Sequence, residues 1–242
     1  MDLRETGSKH RHPWELSRSD SVLKMCKPYI GCDQKVAADI GCGDLYFTNL
    51  LREAFNGKIY AVDTGFAQAD LSLGDERIIK LCNIAQLQDN SIDIAILMDV
   101  LEHIEEPDEV LSLLHSKMRR DGETIITVPA FQHLRSEHDV FLKHYRRYTK
   151  KCLTATLSTN GFCVDKIFYF YSSLYIFRFL QLMISKLRKR TYTAISYNRD
   201  TNSAMTRFIR NALNLDFGIN KKLGMLSFFG LSIFAKCSMR ED

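Results

Sequence analysis

Residues 36–43 read VAADIGCG, and this stretch decides the fold. The small and branched apolar residues up to Ile40 are typical of a buried strand. Gly41 and Gly43 then permit a tight turn at which a ligand can approach the backbone closely. Residues 45–55 follow with a helical pattern. The stretch therefore predicts a strand, a glycine turn and a helix in direct succession.

The same alternation of strand and helix patterns continues to residue 130. Pro107 opens a predicted helix, and Asp121 with Gly122 predicts a turn into the next strand. Further strands are predicted at 58–62 (KIYAV), 77–81 (RIIKL), 92–98 (IDIAILM) and 124–128 (TIITV). Alternating strands and helices form parallel sheets with right-handed crossovers. We therefore expect an α/β fold with a doubly wound, mostly parallel sheet that binds ligands at the carboxyl ends of its strands.

The rest of the chain predicts a less regular arrangement. A helix is expected at 150–159, and strands are expected at 162–169 and 231–237. The residues between these two strands are too many for a simple connection and predict a helical insertion before the last strand. We expect four regions: an N-terminal helical cap (1–30), a core (31–170), an insertion or substrate lid (171–226) and the last strand of the core sheet (227–242).

The composition is that of an ordinary globular protein, with 45% hydrophobic and 26% charged residues among 242. The seven cysteines form no C-x-x-C pair and have no histidine cluster beside them. This usage predicts reduced thiols, no metal site and a cytoplasmic protein. Residues 1–12 lack the apolar segment of a signal peptide.

The net charge of +4 conceals an asymmetry along the chain. Residues 1–139 contain 15 Lys and Arg against 24 Asp and Glu, a net charge of −9. Residues 140–242 contain 18 against 5, a net charge of +13. A basic C-terminal part predicts contact with an anionic partner, such as phospholipid, nucleic acid or a phosphorylated substrate.

An acidic residue ends the strand that follows the glycine turn. Asp63 lies 20 residues beyond Gly43, where a carboxylate can accept hydrogen bonds from ribose hydroxyls. A dinucleotide site would have a third glycine where Tyr46 stands, and Asp39 and Asp44 would repel its pyrophosphate. S-adenosylmethionine (SAM) has a ribose and positive charges but no phosphate. The acidic residues therefore favour SAM over NAD.

Residues 36–129 resemble the class I SAM-dependent methyltransferases. The resemblance rests on VAADIGCGDLYFTNLL, IYAVD, LCNIAQLQDNSIDIAILMDVLEHIEEP and DGETIITVP, which follow one another in that family's order. Many members of the family have a glycine where Leu45 stands and an aspartate where Asn83 stands. The resemblance implies contacts to the methionine part of SAM from Asp39, Gly41 and Gly43, to the ribose from Asp63, to the adenine from Asn83 and Ile84, and to the cofactor after the fourth strand from Met98.

A narrower resemblance concerns the segment after the predicted fifth strand. VPA (128–130), EHD (137–139) and HYRRYT (144–149), together with RHPWE (11–15), resemble a subgroup of small-molecule methyltransferases. Its members are associated with cell-envelope polysaccharide, lipid and natural-product pathways. The resemblance implies a small-molecule, glycan or lipid-linked acceptor, and we expect methylation at a hydroxyl.

Candidate catalytic residues lie in the same segment. His138 can take a proton from an acceptor hydroxyl, with Asp139 orienting its ring, and His144 is a third candidate. The alternative is that these residues only fix the loop by hydrogen bonds. Candidate substrate-binding residues are Trp14, His103 and Arg146. A guanidinium suits an acceptor phosphate or carboxylate, but Arg146 can equally brace the loop and Trp14 can pack on the sheet.

Residues 174–190 combine a wide apolar face with a basic end, KLRKR at 186–190. This pattern is typical of a helix on an anionic membrane surface, of a cap over the substrate pocket or of a homodimer interface. The charge-free run 167–177 is too short to span a bilayer.

Three functions remain open from the sequence. The leading one is SAM-dependent methyl transfer to a small or lipid-linked acceptor by in-line displacement. The second is an RNA methyltransferase with the basic C-terminal part on phosphates, which the absence of an N-P-P-Y type tetrapeptide at 98–101 disfavours. The third is a non-catalytic SAM-binding fold, for which Leu45 is the support.

Overall fold

The computed structural model describes residues 11–29, 35–66, 76–188 and 203–240. These residues form one sheet of seven strands in the order β3-β2-β1-β4-β5-β7-β6. The strands are β1 (Val36–Ile40), β2 (Lys58–Val62), β3 (Ile78–Leu81), β4 (Ile92–Met98), β5 (Met118–Pro129), β6 (Phe162–Phe170) and β7 (Ser232–Met239). Strand β7 runs antiparallel to both β5 and β6, and the other pairs are parallel. The predicted α/β fold with a mostly parallel, doubly wound sheet is confirmed.

Helices cover both faces of this sheet. They are α1 (Pro13–Met25), α2 (Tyr46–Ala54), α3 (Pro107–Lys117), α4 (Glu137–Phe141), α5 (Lys150–Thr159), α6 (Ser172–Arg188) and α7 (Ala204–Leu223). One face of the sheet packs with Leu111 and Leu114 of α3 and Leu153 and Leu157 of α5. The opposite face packs with side chains of α1, α2 and α7. This two-sided burial explains why the β4 sequence is apolar throughout.

The Asp121–Gly122 prediction was wrong in one respect. Strand β5 runs through both residues without interruption, and they lie in an irregular part of its pairing with β4. There Met118 pairs with Ile92, but Glu123 pairs with Ile94. A Cβ on Gly122 would lie only 2.8 Å from the carbonyl oxygen of Arg119. The glycine therefore serves a bulge inside a strand, not a turn before one.

The helices between β6 and β7 differ in their packing. Helix α7 buries Leu213 and Phe217 on the sheet, and the Phe217 ring lies 5.3 Å from that of Phe168. Helix α6 instead exposes much of its apolar surface. The basic residues Lys189 and Arg190 of the predicted membrane-binding segment lie outside the described residues. Within the described ranges, no helix combines the length and hydropathy needed to cross a bilayer.

Candidate functional site

The glycine turn packs directly against the loop that follows β4. Gly41 and Gly43 have φ values of 70° and 55°, which a side chain disfavours. A Cβ on Gly41 would lie 2.6 Å from Cγ2 of Val100. The N–H of Gly41 donates to the carbonyl of Val62 at 2.7 Å. The carboxyl ends of β1, β2 and β4 thus meet at this turn.

Asp63 is oriented toward the glycine turn by the backbone. Its Oδ2 accepts the N–H of Gly43 and its Oδ1 accepts the N–H of Gly65, both at 2.8 Å. A carboxylate oxygen can accept more than one hydrogen bond. The geometry therefore fits a ribose whose hydroxyls donate to Asp63 at the end of β2.

Asp39 is buried beneath the turn, with 2% of its surface exposed. Its Oδ2 accepts the hydroxyl of Thr48 at 2.6 Å, which ties α2 to β1. Burial raises the pKa of Asp39 to about 7, against the lowering effect of the Thr48 hydrogen bond. Asp39 thus supports the glycine turn from beneath it.

The acidic charge around the turn is smaller than the sequence indicated. Arg11 forms an ion pair with Asp44 and places its guanidinium 4.0 Å from the centre of the Tyr46 ring. Asp39 has a pKa near neutrality. The electrostatic argument against a pyrophosphate is therefore weaker than predicted. The preference for SAM then depends on Tyr46 in place of a third glycine and on the comparisons given below.

Leu45 has the left-handed backbone that a glycine adopts freely, with a φ of 66°. It precedes the first turn of α2. Its side chain packs beside Cys42, Ala61 and Ile78 in a small apolar cluster. The left-handed conformation costs a leucine about 1–2 kcal/mol, and this packing offsets part of that cost.

The predicted adenine contacts have different surroundings. Asn83 is exposed, and its Oδ1 accepts the N–H of Ala85 at 2.9 Å, capping a short 3₁₀ turn. The cap leaves the amide nitrogen of Asn83 as the group for an adenine contact. Ile84 is 7% exposed and belongs to the core, whereas Met98 is half-buried beside the opposite core cluster.

A second polar group lies on the loops after β4 and β5. Asp139, 1% exposed, accepts Nδ1 of His144 at 2.9 Å and Nε of Arg147 at 2.8 Å on the same oxygen. Its other oxygen accepts the N–H of Ser136 at 2.8 Å. Burial raises the pKa of Asp139, but the hydrogen bonds from His144 and Arg147 outweigh it and hold that pKa well below its usual range. Asp139 is therefore the anchor of this loop.

The predicted pairing of Asp139 with His138 was wrong. His138 is exposed on α4, and within the described residues the hydrogen bonds of Asp139 go to His144, Arg147 and Ser136. The chain reverses at Lys143, whose φ is 58°, and this brings His144 back onto Asp139. Arg147, which was not among the predicted site residues, also binds Asp139, and its position in HYRRYT offered a signal.

Glu102 and His103 lie beside His144. Glu102 is 0% exposed, and neither of its carboxylate oxygens has a hydrogen-bond partner among the described residues. Burial raises its pKa to about 7. The rings of His103 and His144 meet edge to face, with their centres 4.6 Å apart. The N–H of Tyr145 donates to the carbonyl of Glu102 at 2.8 Å and holds the two loops together.

These three residues were not predicted to form a group. One ligand atom from each of Glu102, His103 and His144 lies within 4.8 Å of the others. No spacing in the sequence brings them together, because the two loops that carry them are distant in sequence. Such a set of two imidazoles and a carboxylate is able to hold a metal ion.

Helix α1 lies across the same edge of the sheet. Arg18, 9% exposed, forms an ion pair with Asp99 and lies 4.4 Å from the centre of the Trp14 ring. The carbonyl of Trp14 accepts the hydroxyl of Tyr171 at 3.1 Å. Trp14 packs with the core cluster on the α1 side. Arg146 hydrogen-bonds to the carbonyl of Glu105, as in the bracing alternative, and its substrate contact stays a prediction.

The comparisons with known proteins agree with this geometry. Residues 38–126 match a family model described as a methyltransferase domain. No curated protein sequence is significantly similar to the chain. Among solved structures, phosphoethanolamine N-methyltransferase 2 of Haemonchus contortus, in complex with SAM, is 15% identical with a TM-score of 0.57. The match covers 92% of this chain but only 53% of that longer one.

Two further structures show the range of chemistry on this fold. Geranyl diphosphate methyltransferase in complex with SAM is 10% identical with a TM-score of 0.56, over 90% of this chain and 85% of that one. The [4+2]-cyclase SpnF is 14% identical with a TM-score of 0.56, over 92% and 82%. At these identities the likeness shows a common fold. Residues 38–126 therefore match a methyltransferase domain, the chain has the fold of these methyltransferase structures, and SAM is the cofactor that the comparisons support.

Proposed function

We propose that this chain transfers a methyl group from SAM to a hydroxyl of a small-molecule, glycan or lipid-linked acceptor. The observation that carries the proposal is the place of the Asp139–His144 pair. Both residues lie in the segment after β5, which the hydrogen bond from Tyr145 to Glu102 joins to the loop after β4, and that loop contacts the glycine turn through Val100. A cofactor site and a group able to handle a proton therefore share one edge of the sheet.

The residues of the glycine turn would hold SAM. Gly41 and Gly43 provide the close backbone approach, Asp63 provides the carboxylate for the ribose and Asn83 provides an amide at the adenine end. When bound, SAM supplies an electrophilic methyl group on a positively charged sulfur. Methyl transfer to oxygen depends chiefly on holding the acceptor oxygen in line with that group.

His144 is the residue of this site best placed to receive the acceptor's proton. Asp139 binds Nδ1, so Nε2 is the ring nitrogen left for the hydroxyl. The buried carboxylate also stabilises the imidazolium that results. His138 is exposed, and burial together with the charge of His138 lowers the pKa of His12 to about 4. The catalytic role of His138 stays a prediction.

The acceptor's lipid character is suggested by helix α6. Its side chains Ile176, Phe177, Leu180 and Ile184 are between 46% and 59% exposed. At its start, the Tyr175 ring lies 5.5 Å from that of Phe131, on the loop that leads from β5 toward Asp139. An apolar surface beside the acceptor loop suits a lipid-linked substrate at a membrane surface. A second copy of the chain is the alternative occupant.

Calorimetric titration with SAM and S-adenosylhomocysteine tests the cofactor part of the proposal. We expect micromolar binding by the wild type and at least tenfold weaker binding by Asp63→Ala. Glu53→Ala, which removes an exposed acid from α2, is the matched control. Absence of binding by folded wild-type protein would contradict the proposal and favour a non-catalytic fold.

Transfer of labelled methyl groups to a panel of acceptors tests the rest. The panel includes phenols, free glycans, lipid-linked sugars and RNA. We expect turnover with a hydroxyl acceptor, and His144→Ala should bind SAM normally but lose most of this turnover. Methylation of RNA alone would replace the proposal with the nucleic-acid alternative.

A further inference from the structure

We infer that Glu102, His103 and His144 form a binding site for one first-row divalent transition metal ion, such as Zn²⁺. The site is the meeting point of the 3₁₀ turn Leu101–His103 with the loop that follows α4. The inference of ion binding is independent of methyl transfer. Only the role given to the ion below rests on the proposed function.

Glu102 is the residue of this group whose burial calls for a cation. Its side chain is fully buried and its two oxygens accept no hydrogen bond within the described residues. A buried carboxylate is stable only when a partner offsets the loss of its hydration. Arg18 and Arg147 are near enough to interact electrostatically, but their guanidiniums bind Asp99 and Asp139. A cation between Glu102 and the two imidazoles would provide the missing partner.

The donor atoms of the three residues are close enough to bind one ion together. Ligand atoms from the three residues lie within 4.8 Å of one another. Ligands bound to Zn²⁺ at about 2 Å lie roughly 3–4 Å apart, so small side-chain rotations would close the site. Imidazole nitrogen together with carboxylate oxygen favours Zn²⁺, Fe²⁺, Co²⁺ or Ni²⁺ over Mg²⁺ and Ca²⁺.

The ring of His144 is held in place by a hydrogen bond to Asp139. Its Nδ1 is bound by Asp139, which leaves Nε2 as the metal-binding atom. Arg147 in turn fixes Asp139 through Nε at 2.8 Å and Nη2 at 3.2 Å. A histidine that donates one nitrogen to a carboxylate while the other binds a metal is the usual arrangement in metal sites.

Three protein ligands leave at least one position of a tetrahedral ion open. We assign that position to an oxygen of the acceptor, which the ion would hold and polarise. A bound ion would occupy the lone pair of Nε2 of His144, so this nitrogen would no longer take the acceptor's proton. The ion would instead polarise the bound hydroxyl, whose proton would pass to water. The acceptor would then be a molecule whose oxygen can bind a metal.

Titration of chelator-treated protein with Zn²⁺ and Co²⁺, in the absence of SAM, tests the site. We expect one equivalent of either ion to bind with micromolar or lower Kd. The Co²⁺ protein should show d–d absorption bands without a thiolate charge-transfer band, which separates this site from the exposed Cys152 and Cys163. No stoichiometric binding by the wild type would overturn the inference.

Substitutions of the three ligands and of Asp139 test where the ion binds. Glu102→Gln, His103→Ala and His144→Ala should each weaken binding at least tenfold, and Asp139→Asn should weaken it by about 10–100-fold. His138→Ala is the matched control, since His138 is exposed in the same segment and should leave the Kd unchanged. Binding that survives His144→Ala, or that His138→Ala abolishes, would overturn the inference. Circular dichroism confirms that each variant is folded.

Different results would contradict the proposed function and the metal site. SAM binding by the metal-free protein reports the proposed function, whereas Co²⁺ spectra report the ion site. A protein that binds Co²⁺ at Glu102, His103 and His144 but not SAM would retain the metal site and lose the proposed function. The reverse result would remove the metal site alone.

Discussion

The guanidinium of Arg18 on helix α1 forms an ion pair with Asp99, the residue that follows strand β4. Asp99 has a φ of 51° and also accepts the hydroxyl of Thr127 on β5 at 3.1 Å. The pair thus connects the N-terminal helix to the ends of two central strands. Because Arg18 is only 9% exposed, its charge depends on this partner.

Asp99→Ala should therefore destabilise the protein by about 3 kcal/mol, since it leaves the buried Arg18 without its counter-ion. Asp99→Asn keeps an oxygen acceptor and tolerates the left-handed backbone, so we expect a loss of about 1–2 kcal/mol. Urea denaturation measures both. Equal losses for the two variants would mean that the charge of Asp99 is unimportant.

The glycine turn gives a second prediction. Gly41→Ala places a methyl group against Val100 at a φ of 70°, and we expect a loss of at least about 2 kcal/mol. SAM affinity should fall with it. Gly218→Ala, in helix α7, has no atom within 4 Å of the added Cβ and should stabilise the protein by about 0.5–1 kcal/mol. A Gly41→Ala protein of unchanged stability and SAM affinity would contradict the geometry.

Because the carboxyl of Asp39 is buried, we expect the stability of the cofactor-free protein to depend on pH. Its pKa is about 7 in the folded protein, because burial disfavours the charged form. The unfolded chain releases this proton near pH 4, so the folded state binds more protons between about pH 4 and 7. The contribution of Asp39 to the free energy of unfolding is thus present at low pH and is lost as the pH rises to 7. The loss is about 4 kcal/mol, at about 1.4 kcal/mol for each unit of pKa.

Asp39→Asn isolates that contribution. The substitution keeps an oxygen for the Thr48 hydroxyl but carries no charge, so the variant should be more stable than the wild type at about pH 8 and similar at about pH 5. Urea denaturation across this range is the measurement. If the variant shows the same dependence of stability on pH as the wild type, groups other than Asp39 are responsible for it.

The exposed face of α6 predicts membrane binding. Phe177→Glu and Leu180→Glu place charge on side chains that are 59% and 54% exposed, so the fold should tolerate both changes. Sedimentation with anionic lipid vesicles should show strong binding of the wild type and at least tenfold weaker binding of the double variant. Leu215→Glu, an exposed position of α7, is the control. If vesicles are not bound and the double variant instead turns a dimer into a monomer, the face is a homodimer interface.

The elements near the glycine turn were predictable because their signals are local. The strand ending at Ile40, the helix opened by Pro107 and the helix 150–159 each follow from adjacent residues, and the structure has them at or near the predicted bounds. The positions of Gly41 and Asp63 at the ends of β1 and β2 follow from the same local signals. Periodicity and glycine position suffice where neighbours in sequence are neighbours in space.

The contacts that complete the site were not predictable, because they join distant segments. Arg18 meets Asp99, and Glu102 meets His144, only after the sheet has formed. The choice of His144 over His138 as the partner of Asp139 depends on the left-handed Lys143. Arg11 likewise compensates Asp44 through a tertiary contact that no spacing rule contains.

Strand β7 has a consequence for how the protein is made. It lies inside the sheet, between β5 and β6, although it follows both of them in the chain. Until residues 232–239 emerge, β5 presents an unpaired edge and β6 lacks its only neighbour in the sheet. Open strand edges invite association between chains. A nascent chain stalled before β7 should therefore associate with other chains more readily than a chain that includes β7.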